Sequence, residues 1–254
     1  MKTVCVVRVR MGSTRLPGKV LMEIDGRPLL GILLDRLART QTLDGLVVAT
    51  TTKTEDDPIA AYCQQRGVAL FRGSETDLLG RIHAALTQEG AEIGVEVFGD
   101  GPLIDPLIVD AMVETFRRAN GKYDFVGNDL STTYPSGMEV EVFSMAALTR
   151  AQEMAVTPAI REHSTLFIRQ HPEIFSLLGV EAETPFRHPE WRIEVDYPED
   201  FQLIREILHH FRDVPNFGLA DIIAFLDAHP DLAKANSHLE RHWQPFRKTV
   251  SLPE

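Results

Sequence analysis

Five short, apolar, β-branched runs alternate with helix-length segments through the first half of this chain. That alternation limits the possible folds more than any other feature. Val4–Val9, Gly45–Thr50, Val68–Phe71, Ile93–Phe98 and Tyr123–Val126 read as strands, with Pro28–Arg39, Asp57–Arg66, Thr76–Glu89 and Asp105–Asn120 as the helices between them. Such repetition gives an α/β fold, a mainly parallel central sheet with helices on both faces. In such sheets ligands bind beyond the carboxyl ends of the strands, where the Arg10–Lys19 loop and the Gly99–Pro102 turn both fall.

The pattern changes after Asn128. Thr133–Phe143 has a turn at Pro135-Ser136-Gly137 and then alternating Met138, Val140 and Val142, which predicts a hairpin. Helices are expected over Ser144–Ala155, Pro158–His171, Pro198–Phe211 and Leu219–His229, and strands near Phe175–Val180 and at Trp191–Val195. Residues 130–185 read as an insertion into one domain spanning 1–254. The polar residues after Asn236 read as an arm or frayed tail.

The first strand runs into the densest cationic segment of an otherwise acidic chain. Up to Met22 there are five basic residues (Lys2, Arg8, Arg10, Arg15 and Lys19) and no acidic one, against a net charge of −11 overall. Concentrated positive charge at the end of a buried strand predicts a polyphosphate site. Gly12 and Gly18 allow close backbone approach to phosphate oxygens, and Pro17 stiffens the loop. This is not a Walker A loop: five residues separate the two glycines, and Val20 follows Lys19 where Ser or Thr is required. The single leading glycine and Pro17 also exclude a dinucleotide fingerprint.

Composition narrows the rest. No apolar run is long enough to span a bilayer, and no signal peptide precedes the first strand. Cys5 and Cys63 fall in a strand and a helix, which predicts reduced thiols and a cytoplasmic location. A pI near 5.3 argues against general nucleic-acid binding.

A phosphate site that performs chemistry calls for a divalent metal, and Mg²⁺ prefers carboxylates. Asp100 ends the strand Ile93–Phe98 between two glycines, uncrowded at the ligand edge. Asp105, directly before Pro106, reads as a helix N-cap. Asp196 follows Trp191–Val195 and precedes a helix start at Pro198, a position open to either a turn residue or a second metal ligand. His238 and His242 have i, i+4 spacing without a third ligand and read as solvent-facing. His163 suits contact with an anionic substrate and structural pairing equally well.

Five ordered segments resemble the acylneuraminate/KDO-type cytidylyltransferases, especially their spore-coat polysaccharide biosynthesis protein F branch. They are the RxGSTRLPGK loop, Gly99–Asp105, Tyr134–Phe143, Arg161–Thr165 and Val195–Phe201, and the likeness runs from residue 3 to about residue 227. The resemblance implies a Rossmann-like nucleotidyltransferase fold with a CTP site over the first loop. It also implies that Arg10, Gly12, Ser13, Arg15 and Lys19 hold the triphosphate, and that Asp100 and Asp196 hold Mg²⁺. Ser74, Asp77 and Arg81 match the segment near the nucleoside. Tyr134, Glu139, Glu141, Arg161 and His163 fall in the part that contacts the sugar and commonly builds a homodimer. Arg8 and Val9 stand where the family shows Gln or Pro and then Ala, and Tyr197 replaces a usual Thr or Ser.

The expected activity is therefore transfer of CMP from CTP to an acidic sugar, with Arg10, Arg15, Lys19 and Asp100 catalytic. Two other classes compete. A nucleotide-sugar glycosyltransferase would pair its aspartates in a DxD turn, where this chain has Pro102. A noncatalytic nucleotide-binding protein of the same fold would have no need to keep Asp100, Asp196 and Lys19 together.

Overall fold

A computed structural model describes residues 1–240. The chain begins with strand β1 (Thr3–Arg8), followed by a two-stranded ribbon, β2 (Glu23–Ile24) and β3 (Arg27–Pro28), and helix α1 (Leu29–Leu37). Next come β4 (Gly45–Thr51), α2 (Asp57–Arg66), β5 (Ala69–Gly73), α3 (Leu78–Gln88), β6 (Ile93–Phe98) and α4 (Pro106–Arg118). The second half comprises β7 (Phe125–Gly127), β8 (Val140–Ser144), α5 (Met145–Met154), α6 (Pro158–Arg161), α7 (Leu166–Gln170), β9 (Leu177–Gly179), α8 (Pro198–His210), α9 (Leu219–Ala228) and α10 (Pro230–Ala233).

Seven strands form one sheet in the order β5-β4-β1-β6-β8-β7-β9, in which only β8 runs antiparallel to its neighbours. Both faces are covered, as the continuous apolar strands require. Along β1, Cys5 and Val7 point into a core with α1, α4, α8 and α9, while Val4 and Val6 point into a second core with α3, α5 and α7. The strand order reverses beside β1, so a crevice opens over the carboxyl ends of β1 and β6.

The second half departs from the sequence expectation in three places. The strand through Val140 and Val142 does not fold back on Thr133 in a local hairpin. Its antiparallel partners are β6 and β7, with Val140 and Val142 facing the first core and Phe143 the second. Residues 130–185, expected as an insertion, thus supply two strands of the main sheet. The helix expected over Pro158–His171 is two short helices, broken at Glu162–Thr165 where Ser164 and Thr165 turn inward to buried acids. Trp191–Val195 is extended but is no sheet strand, since its backbone bonds go to two loops.

Those two loop contacts shape the crevice. Ile193 N donates to Ser136 O at 2.9 Å, and Val195 N donates to Asp100 O at 2.7 Å. Gly137 has φ +100°, and a Cβ there would lie 2.8 Å from Ile193 O; one on Gly101 would lie 2.7 Å from Gly137 O. Three chain segments touch backbone to backbone only because these positions lack side chains. The tail expected after Asn236 is anchored at its root: Asn236 is buried and donates to Arg192 O and to Asp200. His238 is exposed, and His242 with the remainder of the tail lies outside the described residues.

Candidate active site

The first loop leaves β1 and is fixed at its start by a buried acid on the neighbouring connection. Asp56 accepts from Met11 N at 2.7 Å and from Thr51 N at 3.1 Å. Burial would raise the pKa of this carboxyl, but these bonds together hold it below the ordinary carboxylate range. Gly18, at φ +71°, then turns the chain so that Lys19 enters the crevice.

There Lys19 joins the two distant aspartates. Its ammonium lies 2.8 Å from Asp196, 3.5 Å from Asp100 and 2.6 Å from Val195 O. Arg15 reaches the other oxygen of Asp196 at 2.8 Å, and Arg192 reaches that same oxygen at 3.2 Å. Burial opposes the charge on Lys19, but Asp100 and Asp196 outweigh it and raise its pKa. Burial likewise opposes the charge on Asp196, and Lys19, Arg15 and Arg192 hold its pKa down. Lys19 and Asp196 are therefore both charged near neutral pH.

Asp196 is itself held firmly. Asp200 accepts from the backbone nitrogens of Asp196 and Tyr197 at 2.9 and 2.8 Å, closing the start of α8 although Tyr197 is a poor cap. The buried Arg192 lies 3.2 Å from Asp200 and 3.5 Å from Glu194. Burial, with Glu139 and Asp100 nearby, pushes the Glu194 carboxyl up to about 8.

Around this cluster lies a cleft of about 530 Å³. Its lining includes Arg10, Ser13, Arg15, Lys19, Arg81, Asp100, His163 and Asp196, so eight of the expected site residues meet in one space. Arg8, Phe98, Glu75 and Glu162 join them. Gly12 and Ser74 are exposed beside the cleft, and Ser74 O accepts from Arg81 at 2.6 Å. Burial lowers the His163 pKa, with the charge on Arg8 adding to the effect, so the imidazole is neutral.

Five expected residues have structural engagements instead of cleft positions. Asp77 caps α3 through Gly80 N and pairs with Arg161 at 2.7 Å, while Arg161 also donates to the carbonyls of Gln152 and Ala155. This clamp joins α3 to α5 and consumes both charges. Tyr134 packs against the core, and Glu139 accepts from Gly137 N at 2.7 Å, supporting the Gly101 contact from below.

Glu141 lies deeper still. It faces Glu96 across the β6–β8 pair, an opposition that would repel without counter-charges. Arg169 meets Glu141 at 2.9 Å and Asp129 at 2.7 Å, Thr165 donates to Glu141 at 2.7 Å, and Arg8 lies 3.3 Å from Glu96. Burial and the Asp129 charge push the Glu141 carboxyl up to about 8, and Arg169 offsets this only in part. A folded pKa above the unfolded one makes stability greatest below the unfolded value and loses it as pH rises toward 8. The melting temperature is therefore expected to fall between pH 5 and pH 8, and Glu141→Gln to flatten that slope. Parallel slopes for the variant and the wild type would show Glu141 already ionised.

Sequence reasoning did not find Asp56, Glu194, Arg192 or Asn236. Each acts by holding a neighbour, and no periodicity or turn signal marks such a residue. Asp105, expected as a cap, accepts from Leu107 N at 2.9 Å and also from Leu219 N at 2.6 Å.

Asp100 and Asp196 also suit a divalent metal. They already converge on one cation, the Lys19 ammonium, and two carboxylates completed by phosphate oxygens are the usual setting for Mg²⁺. Among the described residues no cluster of three or more acids, histidines or cysteines could hold a metal without a substrate, and no helix is long and apolar enough to cross a membrane.

The fold agrees with comparisons to known proteins. A cytidylyltransferase family model matches residues 4–219. The spore coat polysaccharide biosynthesis protein SpsF of Bacillus subtilis is 32% identical over 233 residues, covering 90% of this chain and 95% of that one. A 3-deoxy-manno-octulosonate cytidylyltransferase of Syntrophobacter fumaroxidans is 34% identical over 121 residues, 46% of this chain and 47% of the relative. Among solved structures, a cytidylyltransferase from Leptospira borgpetersenii superposes with a TM-score of 0.87 at 29% identity, over 95% of this chain and 99% of that one. With its Rossmann-like sheet and a cationic first loop facing paired aspartates, the chain belongs to the cytidylyltransferase family of nucleotidyltransferases.

Proposed function

We propose that this protein transfers CMP from CTP to an acidic sugar of the 3-deoxy-keto or nonulosonate type, releasing pyrophosphate, with Mg²⁺ as cofactor. The convergence of Lys19 and Arg15 on Asp196, with Asp100 beside them, carries the reading. The sugar hydroxyl attacks the α-phosphorus, the bond to the β-phosphate oxygen breaks, and the hydroxyl proton leaves to water. Arg15 and Lys19 neutralise the departing pyrophosphate, and Arg10, half-exposed at the rim, meets the outer phosphates. Cations fixed in advance lower the barrier without reorganising during the reaction. Mg²⁺, held by Asp100 and Asp196, would supply charge compensation at the α-phosphate.

Gly12, Ser13 and the Ser74–Arg81 segment border the nucleotide's path, while His163 sits where an acceptor would lie. Tyr134, Glu139, Glu141 and Arg161 form the frame around that acceptor region, and Asp77 holds Arg161 from the nucleotide side. Its helices are the surface on which a homodimer would form. The relatives make surface-polysaccharide precursors the natural product class. Both cysteines are buried and free, in keeping with a cytoplasmic enzyme.

The test is pyrophosphate release from each of the four nucleoside triphosphates, with and without 3-deoxy-manno-octulosonate or N-acetylneuraminate. Acceptor-dependent release from CTP with added Mg²⁺ is expected. Tight CTP binding with no release across the acceptor panel would overturn the reading in favour of a noncatalytic binder.

A further inference from the structure

Arg8 is a cleft cation that pairs with a fully buried acid of the sheet. Arg15 and Lys19 face Asp196, Arg10 lies toward Glu75, and Arg81 donates to Ser74 O. Arg8 instead forms an ion pair with Glu96, its Nε 3.3 Å from a carboxylate with no exposure at all. Its guanidinium plane lies 4.2 Å from the centre of the Phe98 ring, on the adjoining position of β6. Glu96 is in turn built into the buried acid–arginine network of Glu141, Asp129 and Arg169.

A guanidinium with an ion pair on its Nε side and an aromatic ring along one face keeps its two terminal nitrogens free. Neither terminal nitrogen of Arg8 bonds to any described residue, and the side chain is 28% exposed into the cleft. This is a prepaid two-pronged receptor for a planar anion, the geometry in which arginine binds carboxylates. Its position on the strand end beside Phe98, two residues before Asp100, limits what that anion can be. In a 2-keto sugar acid the attacking hydroxyl and the carboxylate share one carbon. The carboxylate must therefore sit within two bonds of the nucleophile that approaches the α-phosphate near Asp100.

The geometry points to Arg8 as the residue that reads the acceptor's carboxylate, with Phe98 and Glu96 fixing its orientation. This inference rests on the cytidylyl-transfer reading and adds a specificity-determining residue at a position where the resembled family shows Gln or Pro.

The probes are 3-deoxy-manno-octulosonate, N-acetylneuraminate and their C1 carboxamides, assayed by pyrophosphate release at saturating CTP. For Arg8→Gln the KM of the turned-over acid is expected to rise about 10- to 100-fold, the scale of one lost charge-assisted pair. The KM for CTP should stay within about twofold, and preference for acid over carboxamide should disappear. Because Arg8→Gln strands the buried Glu96, the double variant Arg8→Gln/Glu96→Gln serves beside it, and is expected to regain thermal stability without regaining the acid preference. Unchanged acceptor KM and preference in both variants, or a rise confined to the KM for CTP, overturns the assignment of Arg8 alone. Failure of the wild type to turn over any acceptor overturns the transfer reading, and the assignment falls with it.

Discussion

Asp196→Asn is expected to lower kcat by about 10²- to 10³-fold while leaving the fold intact, the cost of removing one preorganised charge from a phosphoryl-transfer site. The substitution keeps the shape of the side chain and removes the charge toward which Lys19, Arg15 and Arg192 all converge. Asn can still accept from the Lys19 ammonium, so the loop keeps its path, but the carboxylate pair that suits Mg²⁺ is gone. The measurement is single-turnover pyrophosphate release across a Mg²⁺ titration. The variant should need far more metal to reach its own lower plateau. Turnover within tenfold of wild type at the same metal concentration would place the chemistry elsewhere, however closely Asp196 and Lys19 pair.

Arg169→Met is the counterpart on the structural side, and it should affect stability more than any other single change. Arg169 is the counter-ion of Asp129 and Glu141, at 2.7 and 2.9 Å, with both carboxylates almost completely buried. Removing one partner of a buried ion cluster leaves an uncompensated charge and costs about 3–5 kcal/mol. For a chain of this size that corresponds to a fall of about 10 °C in Tm. Adding Asp129→Asn and Glu141→Gln to the same chain should restore most of the loss, since the cluster is then neutral throughout. A Tm within 2 °C of wild type for Arg169→Met alone would show that the network contributes nothing net to stability. The same melts report on the site, because Glu96, the anchor of Arg8, lies across the strand pair from Glu141.

The contrast between these two charge clusters shows what could be read along the chain. The first loop stood out because its cations are clustered, with no acid among them, and follow a β-branched run. Asp100 stood out because a strand end and two glycines surround it. Both signals are local, and both residues line the cleft. Arg161 and Asp77 also looked chemical, yet they neutralise each other in a clamp between α6 and the start of α3. A charged side chain carries no sequence mark saying whether its partner is a ligand or another residue. The broken helix at Glu162–Thr165 shows the same limit, since its periodicity continues past the point where Ser164 and Thr165 turn toward buried acids.

By itself the sequence determined the alternation of strands and helices, the cationic turn after β1 and the aspartate at the end of β6. Each follows from side-chain period or turn chemistry within a dozen residues. Tertiary structure alone decided that β8 enters the sheet reversed between β6 and β7, and that Asp196 meets Asp100 across Lys19. Those outcomes depend on which apolar faces find a shared core and on backbones that touch at Gly101 and Gly137. Contacts between residues so far apart in the chain are set by packing, and no local pattern encodes them.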